Sequence, residues 1–337
     1  MSTAPWLSIL LPVYNVEPYL RECVESIASQ AGEGVEIMLV DDVSTDGSKA
    51  LLLELQDEWK GRFRLLQHER NGGLSAARNT LLEAATGRYV WFFDSDDVML
   101  PGAVAELEAI VERHAPDLVM CDFMMLREKI RLKHRLRGEL HRRTFLGPSG
   151  VLLRDRSALM HGLIEQGQLH AWSKISLRSL WGADLRFPVG RFFEDQVVSP
   201  RLALRARTYY HAERVWIAYR QRAGSILASA SSKKADDASQ AMLGVADEFM
   251  AAEKAPSLEA QFAIAYFCAK TYIGVARKAA GGQIPTRPGL LREYRDNFLR
   301  SISLTIPQLR GEYLKRRWFW RWLRLSHWLK KAEAEAA

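Results

Sequence analysis

Trp91-Phe92-Phe93-Asp94-Ser95-Asp96-Asp97 delivers three carboxylates immediately after a short apolar run. Like charges held this close repel unless a cation lies between them. Hard divalent ions such as Mg²⁺ and Mn²⁺ take oxygen ligands, and are often held by one or two carboxylates together with substrate phosphates. Such an ion neutralises the charge that builds on a departing diphosphate. Asp94, Asp96 and Asp97 are therefore candidate metal ligands. The bland alternative makes Asp94 and Ser95 turn formers and Asp97 a helix cap.

A second apolar run ends in Asp41-Asp42, followed by Val43-Ser44-Thr45-Asp46-Gly47-Ser48. Capping explains Ser44, Thr45 and Asp46 well. It explains Asp41 and Asp42 less well, because they precede the cap. One carboxylate there can accept the N3–H of a uracil or an equivalent base edge. In Asn71-Gly72-Gly73-Leu74-Ser75-Ala76-Ala77-Arg78-Asn79, glycines lead into a helix whose first N–H groups can face an anion. Arg78 lies near that helix start, suited to a base or a phosphate. A plain loop with a surface arginine would read the same way.

The elements that must carry these residues alternate in period. Leu7 to Val13, Val35 to Val40, Arg64 to Gln67, Tyr89 to Phe93 and Leu118 to Phe123 are short runs that read as strands buried on both faces. Between them, Leu20/Cys23/Val24/Ile27, Leu51/Leu52/Leu55/Trp59, Leu74/Ala77/Leu81/Ala85 and Val104/Leu107/Val111 have helical spacing. Alternating strands and helices imply βαβ units with right-handed crossovers, and ligands in such sheets sit outside the carboxyl ends of the strands. The acidic clusters fall at those ends. The expected fold is α/β, a Rossmann-like, mostly parallel sheet with flanking helices, followed by a C-terminal helical region.

Beyond residue 126 the pattern changes. Arg127 to Arg143 is dense in Lys, Arg and His and reads as an exposed loop or an acceptor-side segment. Helical pieces are expected over Ser149–Ile164 and Glu194–Arg207, with short strands near Thr208–Tyr210 and Val215–Arg220. Polar Ser229 to Ser239 reads as a linker, and Met242–Glu253, Leu258–Ala279 and Leu290–Ile302 as helices. His170 and His211 have no partner spacing and read as structural. Tyr313 to Lys331 holds seven Lys and Arg residues and no acid, interleaved with Trp318, Trp320, Trp322 and Trp328. Helical spacing puts Trp318, Trp322, Leu325 and Leu329 on one stripe. Such a helix suits the headgroup region of an anionic membrane; a terminal helix packed on the body and a nucleic-acid patch are the competing readings.

With 337 residues, 48% of them hydrophobic, the chain can bury more than one small core. A net charge of +7 points to an anionic partner without saying which. Cys23, Cys121 and Cys268 are far apart, odd in number and in apolar surroundings, so buried free thiols in a reducing compartment are expected. The N-terminal residues lack the features of a signal peptide, and no stretch approaches the ~20 apolar residues of a membrane span.

Together, Ser8-Ile9-Leu10-Leu11-Pro12-Val13-Tyr14-Asn15, Val40-Asp41-Asp42 with Ser44 to Ser48, Asn71 to Asn79, and Asp94-Ser95-Asp96-Asp97 resemble the inverting family 2 glycosyltransferases of bacteria, which have the A-type fold. The resemblance covers residues 6–125 strongly and 165–226 more loosely. A glycine common after the Asp-Asp pair is Val43 here, a departure read as minor. The resemblance implies that Pro12 to Tyr14 line the base pocket. It makes Asp42 the uracil-contacting acid with Asp41 beside it, and Arg78 a donor contact. Asp94, Ser95 and Asp96 would be on the donor nucleotide, with the metal at Asp94, Asp96 and Asp97. Arg191-Phe192-Phe193-Glu194-Asp195-Gln196 resembles the family's Glu-Asp motif, making Asp195 the catalytic base and Glu194 its support. An inverting displacement needs such a carboxylate within reach of the attacking oxygen, although acids also suit a helix start, and Pro200 would disturb such a helix. Trp172, Lys174, Arg220 and Arg222 lie in further similar segments and are candidates for acceptor or phosphate contacts, against a core Trp and a basic surface.

The resulting domain expectation is a catalytic domain over 1–228, with a nucleotide-sugar-binding half at 1–125 and an acceptor half at 126–228, then a helical region at 229–310 and a basic tail helix at 311–337. The implied activity is transfer of a sugar from a nucleotide-sugar donor, a UDP-sugar first, to a hydroxyl of a glycan or lipid-linked acceptor in cell-surface polysaccharide synthesis. It would depend on Mn²⁺ or Mg²⁺, at the cytoplasmic face of the plasma membrane, with no nucleic-acid partner. The competing readings are nucleotidyl transfer to a sugar phosphate and a basic nucleic-acid-binding or scaffold protein, which clustered acids at strand ends oppose.

Overall fold

Seven consecutive buried residues, Leu7–Val13, form β1 near the middle of a sheet, as a run apolar on both faces requires. The computed structural model describes residues 4–127, 129–221, 231–252 and 255–335. The other strands are β2 (Val35–Asp41), β3 (Phe63–Gln67), β4 (Tyr89–Phe92), β5 (Val98–Met99), β6 (Leu118–Leu126), β7 (Leu152–Leu153), β8 (Lys174–Leu177) and β9 (Tyr209–Arg220). The helices are α1 (Glu17–Ala28), α2 (Ser48–Glu58), α3 (Gly73–Ala84), α4 (Ala103–His114), α5 (Leu132–Leu136), α6 (Arg156–Gln166), α7 (Glu194–Arg205), α8 (Ser232–Gln240), α9 (Val245–Ala252), α10 (Leu258–Ala280), α11 (Leu290–Arg300), α12 (Ile306–Lys315) and α13 (Phe319–Ala334).

The sheet runs β3-β2-β1-β4-β8-β6-β9-β5, with β7 on β9. β3, β2, β1 and β4 are mutually parallel, so Val13 and Asp41 come out side by side at their carboxyl ends. β8 enters between β4 and β6, antiparallel to both, which makes that half mixed. Leu20, Cys23, Val24 and Ile27 of α1 and Leu52 and Leu55 of α2 pack with β1 and β2 in one buried cluster. That is the face their helical spacing predicts. The two strands expected over 208–220 are one, β9, with a register irregularity opposite Asp122 and Glu213 in the left-handed region.

The chain divides into two compact units. The first comprises residues 1–155, 168–190 and 205–223, and the second 156–167, 191–204 and 224–337. The expected acceptor half, 126–228, is therefore shared between units.

In the second unit α10 is the central helix, with Phe262, Ala265, Cys268, Ala269 and Tyr272 among its buried residues. Ser257 caps it by accepting from the Ala260 N–H at 3.2 Å. Three sequence expectations change. The candidate linker is helical from Ser232, capped by Ser231 accepting from Lys234 N–H; polar composition resembled a linker, but Ala235 and Asp237 are buried. The single tail helix is two, α12 and α13, separated at Arg316–Trp318, where Arg317 is left-handed. The Trp318/Trp322/Leu325/Leu329 stripe points inward. Trp318 lies 4.9 Å from the Tyr266 ring and Trp322 5.9 Å from Tyr313, while Leu325 and Leu329 are buried. Spacing alone shows that residues share a face, not what covers it. Among the described residues no helix is long and apolar enough to cross a membrane.

Candidate functional site

The first unit gathers most of the expected residues at the carboxyl ends of β1, β2 and β4. Pro12 is buried at the end of β1, and Tyr14, just beyond it, is exposed. Asn15 is left-handed, which asparagine tolerates. Its Oδ1 accepts from the Thr45 N–H at 2.7 Å, tying the end of β1 to the loop after β2.

Asp41 and Asp42 differ sharply. Asp42 Oδ1 accepts from Gly72 N–H at 2.8 Å and Oδ2 from Gly73 N–H at 2.7 Å, and His68 Nδ1 lies 2.6 Å from Oδ1. The anion at the start of α3 is thus Asp42 itself, which satisfies two of the helix's unpaired N–H groups. Gly73 has φ +79°, and a Cβ on Gly72 would meet Ala76 at 2.8 Å, so both positions require glycine. Asp41 Oδ1 accepts from Ser44 N–H at 3.1 Å, whereas its buried Oδ2 has no protein partner. Val43 follows with φ +61°. The glycine it replaces would be at ease there, and a β-branched residue is strained.

The Asp94–Asp97 turn closes with the Asp97 N–H donating to Asp94 O at 3.1 Å. Ser95 Oγ donates to Pro12 O at 2.8 Å, which pins the turn to the end of β1 and gives Ser95 a structural task. Arg78 is fully buried on α3. Its Nη2 meets Asp94 Oδ1 at 2.8 Å and its guanidinium lies 5.2 Å from the Phe187 ring. From the opposite side Arg220, the last residue of β9, donates its backbone N–H to Asp97 Oδ1 at 2.8 Å and its Nε–H to Asp96 O at 2.8 Å. Its Nη2 pairs with Glu22, and its guanidinium lies over Tyr19. Three carboxylates are thereby bracketed by two guanidiniums.

Asp97 is buried with Oδ2 lacking a protein partner. Burial, then the charges of Asp94 and Asp96, push its carboxyl well above the usual carboxylate range. Burial, followed by the same three acids, also raises the Cys23 thiol beneath the turn, which makes it a packing residue. Among the described residues no three His, Cys, Asp or Glu side chains converge to hold a cation alone. The donor set fits an ion held by one or two carboxylates and completed by phosphate oxygens.

Other expectations resolve differently. Lys174 Nζ is buried and donates to Gln168 O at 2.7 Å, His170 O at 2.9 Å and Ser173 Oγ at 2.8 Å. All three ammonium donors serve the turn before β8, so Lys174 is not a phosphate contact. Trp172 is a core residue whose carbonyl accepts from Trp91 Nε1 at 2.7 Å, with His170 stacked on its ring at 4.7 Å. His211 is buried with Nε2 2.8 Å from Asp122, a structural pair. Arg222 lies outside the described residues.

Glu194 and Asp195 open α7 in the second unit. Pro200 does not end the helix, which runs on to Arg205. Buried Val198, Ser199, Leu202, Ala203 and Leu204 outweigh the lost hydrogen bond. Phe193, immediately before the pair, is left-handed at φ +60°. Buried Asp237 on α8 holds this approach. Its Oδ2 accepts from Phe192 N–H at 3.0 Å, and Arg191 Nε lies 3.5 Å from Oδ1. Sequence reasoning missed Asp237 because it sits in the segment taken for a linker. It also missed Asn79 and Phe187, which exchange two hydrogen bonds at 2.8 and 2.9 Å across 108 residues. No local pattern signals that pairing.

The family described as Glycosyl transferase family 2 matches residues 8–161. Glycosyltransferase GlyA of Streptococcus pneumoniae serotype 4 is 30% identical over 230 residues, 65% of this chain and 31% of that protein. The putative teichuronic acid biosynthesis glycosyltransferase TuaG of Bacillus subtilis strain 168 is 38% identical over 112 residues, 32% of this chain and 43% of that protein. The chain thus spans less than half the length of either relative. The structure of S. aureus TarS 1–349 in complex with UDP is similar with a TM-score of 0.68 at 18% identity, over 96% of this chain and 91% of that one. At that identity the likeness shows the fold, an A-type glycosyltransferase sheet with flanking helices and a helical C-terminal region. Sequence match and fold thus agree over residues 8–161, which match the glycosyltransferase family 2 model.

Proposed function

We propose that the protein is an inverting glycosyltransferase that moves a sugar from a nucleotide-sugar donor, a UDP-sugar first, to a hydroxyl of a glycan or lipid-linked acceptor in cell-surface polysaccharide synthesis. The observation that carries this reading is the Asp94–Asp97 turn, bracketed by Arg78 and Arg220, with Asp97 Oδ2 and, at the end of β2, Asp41 Oδ2 both lacking protein partners. The UDP bound in the similar TarS structure supports the choice of nucleotide.

In this reading Pro12 and Tyr14 border the base. Asp41, rather than Asp42, accepts the base N3–H, because both Asp42 oxygens already hold the start of α3. Asp94, fixed by Arg78, faces the ribose, and Ser95 fixes the turn. Asp96 and Asp97 are the proposed ligands of Mn²⁺ or Mg²⁺, with Asp94 beside them; when bound, the ion offsets the negative charge of the leaving diphosphate. Asp195, supported by Glu194, takes the proton of the acceptor hydroxyl. That oxygen bonds to the anomeric carbon as the bond to the nucleotide diphosphate breaks on the opposite face, which inverts the configuration. The basic C-terminal segment is proposed to hold the enzyme at the anionic cytoplasmic face of the plasma membrane.

Release of nucleotide from UDP-, GDP- and dTDP-sugars in the presence of candidate acceptors tests the activity. One donor class should turn over, and Asp195→Asn should lower kcat about 10²–10⁴-fold with nucleotide affinity retained. Full activity in Asp195→Asn would remove the base assignment, and no turnover of any donor by folded, nucleotide-binding protein would count against the transferase reading.

A further inference from the structure

The tail's inward stripe leaves its opposite face unaccounted for. Phe319 and Leu323 are each 52% exposed and Trp320 is 83% exposed, in an element whose Leu325 and Leu329 are buried and whose Trp322 and Trp328 are half-buried. Tryptophan is usually well covered in a folded protein. At about 100° per residue, Phe319, Trp320, Leu323, Arg324, His327, Lys330 and Lys331 share one outward arc of α13. The two acids that follow, Glu333 in the last turn and Glu335 just beyond the helix, are turned away, Glu333 toward Arg295 at 3.9 Å and Glu335 onto the Leu291 N–H at 2.9 Å. Among the described residues no ion pair engages Arg324, Lys330 or Lys331, although Lys331 lies over the Trp328 ring. The outward face therefore presents an aromatic and aliphatic wedge beside uncompensated cations.

We propose that this outward arc of α13, and not the Trp318/Trp322 stripe, is the surface that docks on an anionic lipid headgroup layer. The inference rests on the membrane reading above and names the residues that carry it. Phe319, Trp320 and Leu323 enter the headgroup–acyl boundary, and Arg324, Lys330 and Lys331 meet lipid phosphates. The helix, 16 residues and about 24 Å long, lies in the plane of the surface, with its other side occupied by the Tyr266 and Tyr313 rings. The mixed character argues for lipid over nucleic acid, because Leu323 offers nothing to a base stack and an aliphatic group gains most from an apolar layer.

Co-sedimentation of the full chain with phosphatidylcholine vesicles, and with vesicles of equal phosphatidylcholine and phosphatidylglycerol, tests this. The native protein should partition onto the anionic vesicles alone. The combined variant Phe319→Ser, Trp320→Ser, Leu323→Ser should lose at least about tenfold in partition, with an unchanged thermal midpoint because all three side chains are exposed. Undiminished binding by that variant would overturn this face while leaving the membrane reading standing. No binding of the native protein to anionic vesicles would overturn both, and leave nucleotide binding untouched as evidence on the transferase reading. A native dimer that the variant makes monomeric, or single-strand RNA binding that the variant abolishes, in either case without vesicle binding, would assign the face to a second copy or to nucleic acid and overturn the proposal.

Discussion

The backbone N–H of Arg220 lies 2.8 Å from Oδ1 of Asp97, joining the end of β9 to the acid turn after β4 across 123 residues. The same residue's Nε–H reaches the Asp96 carbonyl at 2.8 Å, so one arginine sets both the position and the charge balance of the proposed metal and diphosphate site. Arg220→Lys keeps the backbone contact and removes the Nε–H bond and the fork toward Glu22. Hydrogen bonds of this kind contribute about 1.5–3 kcal/mol, so calorimetry should show UDP affinity reduced about tenfold or more. Unchanged affinity would make Arg220 a bystander.

Asp41 and Asp42 make opposite predictions. Asp42→Asn takes one acceptor from the Gly72 and Gly73 N–H groups and should cost about 1–3 kcal/mol of stability, read as a lower urea midpoint. Asp41→Asn should leave the midpoint nearly unchanged and weaken nucleotide binding about tenfold or more. A stable Asp42→Asn that has lost nucleotide binding would return the base contact to Asp42.

Val43 is held at φ +61° beside these acids. Strain of that kind costs about 1–3 kcal/mol, against about 0.5–1 kcal/mol for the extra backbone freedom of glycine. Val43→Gly should therefore stabilise the protein by about 1 kcal/mol, seen as a thermal midpoint a few degrees higher. A lower midpoint would show that the half-buried valine contributes more by packing than it costs in strain.

Asp122 is fully buried between His211 at 2.8 Å and His141 at 2.7 Å. Burial by itself raises its pKa, but the hydrogen bonds from His211 and His141 prevail and hold the carboxyl below its usual value. A depressed carboxylate pKa stabilises the fold above the unfolded-state value, and the contribution is lost as pH falls through the folded-state value. Asp122→Asn should destabilise by about 3 kcal/mol near neutrality, and the gap to the native protein should close as denaturation is repeated below about pH 3.9. A gap independent of pH would assign the loss to packing.

Asp237 holds Phe192 and Arg191 just ahead of Glu194 and Asp195. Asp237→Ala should lower kcat with little effect on the affinity for free UDP, because it acts on the approach to the proposed base. Equal losses in both would indicate general unfolding, which circular dichroism would show.

The parallel half of the sheet was legible because its strands are continuous apolar runs and their acids fall where the chain turns out of the sheet. Arg78 and Asp94 were both singled out, yet their mutual pairing was not visible, since sequence spacing says nothing about which side chains meet across a sheet. Lys174 resembles a phosphate contact for the same reason; only the fold shows its ammonium held by two carbonyls and the Ser173 hydroxyl. β8 was hidden because Lys174-Ile175-Ser176-Leu177 is short and lacks an apolar run, and α8 because helix-compatible polar residues resemble a linker until Asp237 is seen to be buried. At Val43 the departure from glycine falls on a position whose φ is positive.

The central claim is that the β-strand ends of the first unit form a nucleotide-sugar donor site completed by a divalent ion. Its most direct test is titration calorimetry of UDP, GDP and dTDP with and without Mn²⁺, on the native protein and on Asp96→Ala. The account predicts that UDP binds in the presence of Mn²⁺, more weakly without it, and that the variant loses the metal-dependent part while remaining folded. Absence of nucleotide binding by folded native protein under every metal condition would contradict it.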